Sequence, residues 1–190
     1  MKPLLVLYAT REGHTRRIAE HIAATIRSRG YTAEVLDAAD LPPNFSMDAY
    51  EAAVIAASVH LEKHEKEVVE FVKHHRGELE SMPSIFLSVS LSEAGAEDPA
   101  APPERRAQAA ADVQKMIDAF LKETGWHPSK ARAAAGALSY SKYNFLVRFV
   151  MKRIAKAQGI STDTSRDYEF TDWEALDRLV DEVVPHGPNR

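Results

Sequence analysis

Apolar runs of strand length alternate along this chain with longer segments whose apolar residues recur three and four apart, and that alternation restricts the fold more than any other feature. Residues 3–9, "PLLVLYA", form a continuous apolar run. Residues 14–29 then set Ile18, Ala19, Ile22, Ala23 and Ile26 on one helical face before Gly30 closes the helix. "YTAEVLDA" (31–38), "AAVIAAS" (52–58) and "SIFLSVS" (84–90) are further strand candidates, and residues 63–80 carry Val68, Val69, Phe71, Val72 and Leu79 at helical spacing. A long helix is expected from Pro103 to just before Gly125. "ARAAAGAL" (131–138) supplies a fifth strand, its alanines adding little strand preference of their own. "FTDWEALDRLVDEVV" (170–184) makes a closing helix, with Thr171 as its cap and Glu174 three residues on. Strands and helices in strict turn imply parallel strands, right-handed crossovers and helices on both sheet faces. The expected fold is an α/β three-layer sandwich.

Three segments fall outside the minimal repeat: loops at 38–48 and 91–104, and an insertion at about 139–170 long enough to hold a helix of its own. With 190 residues, 45% hydrophobic and 27% charged, the chain is expected to form a single globular domain over 1–190. The N-terminal apolar run is too short for a secretory segment, and no stretch reaches the roughly 18 consecutive apolar residues of a membrane span. A net charge of -4 argues against bulk nucleic-acid binding. The absence of cysteine excludes disulfides, thiolate metal sites and a cysteine nucleophile, and redox chemistry would need a borrowed cofactor.

In an open parallel sheet, ligands bind beyond the carboxyl ends of the strands. Residues 10–15, 58–62 and 91–103 share that rim. "TREGHT" (10–15) offers hydroxyls from Thr10 and Thr15, close backbone approach at Gly13, and a helix that starts at once, which together suit a phosphate. Neither a Walker loop nor the dinucleotide glycine triplet is present, so a mononucleotide fits better than ATP or NAD. The same residues would equally serve as a plain helix-capping turn. His60, His64, His74 and His75 lack the H-E-x-x-H order and read as solvated helix histidines, so no metal is expected. Ser58 and Ser90 lack a nucleophile elbow. Trp126 and Trp173 read as packing residues at helix ends.

The phosphate turn resembles the T/S-x-x-G-x-T loop of flavodoxin-like FMN proteins. "ATREGHTRRIAEHI", "AASVHLEKHEKEVVEFVKHH", "MPSIFLSVSL", "GALSYSKYNFLVRFVMKRIAK" and "STDTSRDYEFTDWE", taken in order, are similar to the quinone-dependent protoporphyrinogen dehydrogenases of bacterial haem synthesis. "TDT" followed by "FTDW" singles out that subfamily. The resemblance implies a flavodoxin-like sheet of order 2-1-3-4-5. It also implies FMN held by Thr10, Arg11, Glu12, Gly13, His14 and Thr15 at the phosphate, by Ala57, Ser58, Val59 and His60 in a second loop, and by Ser88, Val89, Ser90, Leu91 and Ser92 in a third. No aromatic residue stands in these loops, so His60 or Leu61 would face the ring, an arrangement suited to hydride exchange with a bulky substrate. The implied reaction is oxidation of protoporphyrinogen IX to protoporphyrin IX, with a membrane quinone as acceptor. No catalytic acid or base is evident.

From Thr124 to Thr162 there are seven Lys or Arg residues and no Asp or Glu. Within that span Tyr140, Tyr143, Phe145, Arg148, Phe149, Lys152 and Arg153 mark an amphipathic basic face. It would meet an anionic membrane surface or porphyrin carboxylates, or it would pack its apolar stripe on the core. The implied setting is cytoplasmic, peripheral on the inner face of the cell membrane, and a homo-oligomer is left open. "SEAGAEDPAAPPERR" works against that setting, because Glu93, Glu97 and Asp98 precede its first cation. A flavodoxin-type electron carrier, an FMN-dependent quinone reductase and a binding module without FMN are the alternatives.

Overall fold

The computed structural model describes residues 2–138, 156, 163–165 and 167–184. Strand β1 (Leu4–Ala9) is buried along its whole length. It alternates its side chains between two cores: Leu4, Val6 and Tyr8 enter one, and Leu5, Leu7 and Ala9 the other. Helix α1 (His14–Ser28) buries the Ile18, Ala19, Ile22, Ala23 and Ile26 face on the first core. It ends where Gly30 takes φ 86, with Tyr31 N donating to Ile26 O and Gly30 N to Arg27 O. β2 (Ala33–Asp37) follows, and a short 3-10 turn at Met47–Ala49 sits at the end of the expected 38–48 loop.

β3 (Ala52–His60) runs two residues beyond the expected strand. It folds back into β4 (Lys63–His64), pairing antiparallel as Val59↔His64 and His60↔Lys63. The helix expected over 63–80 therefore starts later and is broken in two, α2 (Lys66–His74) and α3 (Arg76–Glu80). β5 (Ser84–Ser90) leads directly into α4 (Leu91–Glu97), a helix where a loop was expected, with the Ser90 hydroxyl accepting from Glu93 N as its cap. α5 (Pro103–Thr124) matches its expected limits and closes on Gly125 at φ 67.

The fifth strand is shorter than expected. β6 (Lys130–Ala135) stops before Gly136, and β7 (Ala137–Leu138) turns off to pair antiparallel with β8 (Tyr168–Glu169). The closing helix α6 (Trp173–Val183) is capped by Asp172, whose carboxylate accepts from Ala175 N, and not by Thr171. Thr171 is occupied elsewhere, its hydroxyl donating to Ala135 O at 2.7 Å.

The main sheet has the order β2-β1-β3-β5-β6, all parallel, with β4 attached to β3. Counting only parallel strands, this is the expected 2-1-3-4-5. α1 and α6 cover one face through Ile18, Ile22, Ile26, Leu176, Leu179 and Val180. α2, α3 and α5 cover the other through Val68, Phe71, Leu79, Val113, Ile117 and Phe120. Phe86 and Phe120 stack across that second interface with ring centroids 4.1 Å apart. Trp126 packs beside them at 1% exposure, as expected of a helix-end packing residue.

Candidate functional site

The register levels the strand ends on one rim. Ala9 pairs Ala57, Ser58 pairs Val89 and Ser90 pairs Ala135, so the turns after β1, β3 and β5 emerge side by side. Winding from β1 goes outward to β2 and then crosses to β3, which places the reversal of direction between the first two of those turns. A separate cavity of about 540 Å³, lined by Lys2, Met47, Tyr50 and Glu51 among others, opens at the amino end of the sheet, away from this rim.

Thr10 to Thr15 form the turn after β1. Gly13 holds φ 87, a left-handed conformation that a side chain disfavours, and Thr10 Oγ1 accepts from Gly13 N at 3.1 Å. That bond leaves the Thr10 hydroxyl proton to donate elsewhere. No side chain caps α1, so the first-turn N–H groups, those of Thr15 and Arg16 among them, have no acceptor within the helix. Thr15 is 1% exposed, and its hydroxyl takes no hydrogen bond among the described residues. Converging donors, a glycine and a bare helix start together fit a phosphate. A plain capping turn would have spent a hydroxyl on the helix, and this one does not.

His14, the first residue of α1, is tied to the far end of the chain. Its Nε2 lies 2.7 Å from Thr171 Oγ1. Thr171 gives its only proton to Ala135 O, so His14 Nε2 must be the donor. The His14 and His21 rings pack on Trp173 at 6.2 and 4.8 Å, Arg17 lies over the same indole at 5.8 Å, and Arg17 Nη1 donates to Glu169. The "FTDW" segment thus buttresses the helix that begins after the Thr10–Gly13 turn.

The second turn is the β3–β4 hairpin. Its two central residues, Leu61 and Glu62, have φ 48 and 63, the geometry of a two-residue hairpin usually met by glycine or asparagine. Leu61 is 83% exposed, the one large apolar side chain so placed among the described residues. Ala57 is fully buried, whereas Ser58, Val59 and His60 are half-buried at the rim. His64 is not a solvated helix histidine: it lies on β4, its Nε2 2.9 Å from Ser88 Oγ and its ring edge-on to Phe86 and Phe120. Burial pushes its pKa down to about 4, and the Glu123 carboxylate only partly opposes the shift. Arg11 Nε donates to both oxygens of the buried Glu65 at 3.0 and 3.2 Å, and Ser58 Oγ donates to the same carboxylate at 3.3 Å.

The third turn spends most of its side chains on structure. The Ser88 hydroxyl is engaged by His64, Val89 sits in the core, and Ser90 caps α4. Leu91 and Ser92 are half-buried at the rim, with the β5 end behind them. Glu93 follows in the first turn of α4, where burial and then the Glu97 carboxylate push its carboxyl up to about 7. Tyr140, Tyr143, Phe145, Arg148, Phe149, Lys152 and Arg153 lie outside the described residues. No helix among the described residues is long and apolar enough to cross a membrane.

Sheet order, rim and the Thr10–Thr15 turn together fit a flavodoxin-like protein. Residues 5–165 match the Flavodoxin domain family. Among solved structures the chain resembles a short-chain flavodoxin associated with a bacterial microcompartment (TM-score 0.55, 14% identity, 96% of this chain and 97% of that one). It likewise resembles oxidised Flavodoxin 1 from Bacillus cereus (TM-score 0.51, 17% identity, 95% of each chain). At such identities the likeness establishes the fold. Two relatives named protoporphyrinogen IX dehydrogenase [quinone] are nearer in sequence. The Escherichia coli K12 protein is 34% identical over 180 residues, covering 95% of this chain and 93% of its own. The Leishmania major protein is 30% identical over 181 residues, covering 95% and 74%. The chain belongs to the quinone-dependent protoporphyrinogen IX dehydrogenase family within the flavodoxin-like fold.

Proposed function

We propose that this protein is an FMN-dependent dehydrogenase that oxidises protoporphyrinogen IX to protoporphyrin IX and delivers the electrons to a quinone. The observation that carries this reading is the 34% identity to a relative of that name across nearly the full length of both chains. The donor set of the phosphate turn is what an FMN phosphate requires. When bound, FMN supplies two-electron oxidation that no side chain of this cysteine-free protein can perform.

In this assignment the Thr10 and Thr15 hydroxyls, the Gly13 backbone and the first turn of α1 take the phosphate. Arg11, held by Glu65, adds charge beside them. Ser58, Val59 and His60 border the ring on one side, and the β5 end with Leu91 and Ser92 borders it on the other. The exposed Leu61 leaves the ring approach apolar, in keeping with a porphyrinogen macrocycle. Neither rim turn places an aromatic residue there to cover the ring.

The basic stretch between Thr124 and Thr162 supports work on an anionic membrane face, where a lipid quinone is met. Binding to liposomes containing anionic lipid, lost at high salt, is the expected outcome of a flotation assay. Anaerobic assay of the FMN-loaded protein with protoporphyrinogen IX tests the central reading. Porphyrin fluorescence should rise stoichiometrically with added quinone and stay flat without it. Quinone reduction from another donor, with no response to protoporphyrinogen, would instead identify a generic quinone reductase.

A further inference from the structure

We propose that Glu65 is a positioning residue that locks the phosphate turn to the β3–β4 hairpin, so that the two ends of the mononucleotide site are held at a fixed separation. The proposal rests on the FMN reading above. Glu65 is the residue preceding α2 and only 6% exposed, yet its side chain makes no cap bond to that helix. A carboxylate there is favoured by the positive end of the helix dipole whether or not it bonds to the first N–H groups. The Glu65 side chain is turned toward the rim, where it takes Arg11 Nε with both oxygens and Ser58 Oγ with one, and His60 Nε2 stands 3.9 Å away.

These partners come from different turns. Arg11 belongs to the phosphate turn, 54 residues earlier in the chain, and Ser58 and His60 to the strand end and hairpin beside the ring. Glu65 N also donates to Ser58 O, so backbone and side chain fix the same junction. A buried carboxylate without its cation is strongly disfavoured, so the pair holds Arg11 in one place although that side chain is 63% exposed. The hairpin needs such a hold, because Leu61 and Glu62 both sit in a backbone region that costs energy for residues other than glycine. Both Glu65 oxygens are engaged, so the residue acts through its neighbours and touches no reacting atom. A rim fixed before FMN arrives spares the ordering cost of binding.

The test is FMN affinity of the full-length apoprotein, measured by quenching of free-FMN fluorescence, together with thermal unfolding of the same apoproteins. Glu65→Gln keeps the shape and removes the charge; Arg11→Lys keeps the charge and removes the Nε contact. Each is expected to weaken FMN binding by about tenfold to a hundredfold, the worth of a hydrogen bond to a charged group. The double variant should bind no more weakly than the weaker single variant, since one link is broken twice. A merely structural role would lower apoprotein unfolding temperature and leave FMN affinity unmoved, which overturns the proposal, as would losses that multiply in the double variant. Arg11 is 63% exposed, so Arg11→Lys keeps a folded readout even where Glu65→Gln fails to fold, and unchanged FMN affinity in it overturns the proposal. Wild-type protein that binds no FMN would sink the FMN reading and this inference with it, whereas tight wild-type binding shared by both variants would sink this inference alone.

Discussion

The turn after β1 and the hairpin after β3 stand next to each other on the rim and reach their shapes by opposite means. The first puts glycine where the backbone is left-handed, Gly13 at φ 87, and leaves hydroxyls and helix N–H groups open for a ligand. The second puts leucine and glutamate at its left-handed positions and relies on two anchors in the following residues. His64 fastens it inward to Ser88 between Phe86 and Phe120, and Glu65 fastens it sideways to Ser58 and Arg11. One turn is shaped by its own residues and the other by distant partners. A locally encoded turn should respond to substitution at its own backbone, and a remotely held one should respond to its anchors.

The largest effect is expected at the inward anchor. His64 is neutral in the folded protein down to about pH 4, while an unfolded histidine takes up a proton near pH 6.5. The unfolded chain therefore binds more protons between those values. The stability that His64 contributes is complete above pH 6.5, declines as pH falls toward 4, and changes no further below that. Over the whole window the loss is on the order of 3 kcal/mol as an upper bound. Glu93 works in the opposite sense: with its carboxyl raised to about 7, its contribution is present below pH 4.5 and is lost as pH rises through 7. Subtraction separates the two. Urea unfolding at pH 7.5 and pH 4.5 should show a stability difference between wild type and His64→Gln that shrinks markedly at the lower pH. An unchanged difference would mean that the imidazole is not the hairpin's anchor.

Next in size is Gly13→Ala. A methyl group at φ 87 costs about 1–2 kcal/mol in the backbone, and it stands where a phosphate would approach. FMN affinity should fall by at least about tenfold, and apoprotein stability should fall with it, as followed by fluorescence titration and thermal unfolding. Retained affinity would show that the turn is a capping device and that the cofactor lies elsewhere on the rim.

The same contrast explains which features were legible in the sequence. The five strands and the face of α1 follow from periodicity and the limits of α5 from Pro103 and Gly125, and "TREGHT" suggests a phosphate site because its glycine and threonines lie within six residues of each other. The hairpin was hidden because apolar spacing begins only at Val68, so extending a helix back to residue 63 covered the short strand Lys63–His64 and the Glu65 that follows it. Their partners, Ser88 and Arg11, lie 24 and 54 residues away, and no local pattern links them. The helix α4, in a segment that reads as a loop, is a different case. Ser90 and Glu93 form a serine with glutamate three residues on, a capping pattern available in "SLSE" that the neighbouring prolines and alanines obscured. Thr171 was assigned to the helix beside it, whereas its bonds reach across to Ala135 and His14.

The smallest effect is the most discriminating. Leu61 is 83% exposed at φ 48, so its side chain contributes almost nothing to the core while its backbone is strained. Leu61→Gly relieves a left-handed cost of about 1–2 kcal/mol and adds back roughly 0.5–1 kcal/mol of chain entropy. The net is a stability gain of about 0.5 kcal/mol, read from the urea midpoint of the apoprotein. FMN affinity should move the other way, falling a few-fold as the apolar contact beside the ring is lost and the hairpin loosens. Opposite signs would mark leucine as kept for the ligand at the expense of the fold, whereas at Gly13 both quantities fall together because fold and ligand demand the same residue. If Leu61→Gly instead lowered stability and left affinity unchanged, the hairpin would be an ordinary structural turn, and the division between a binding turn and a held turn would fail.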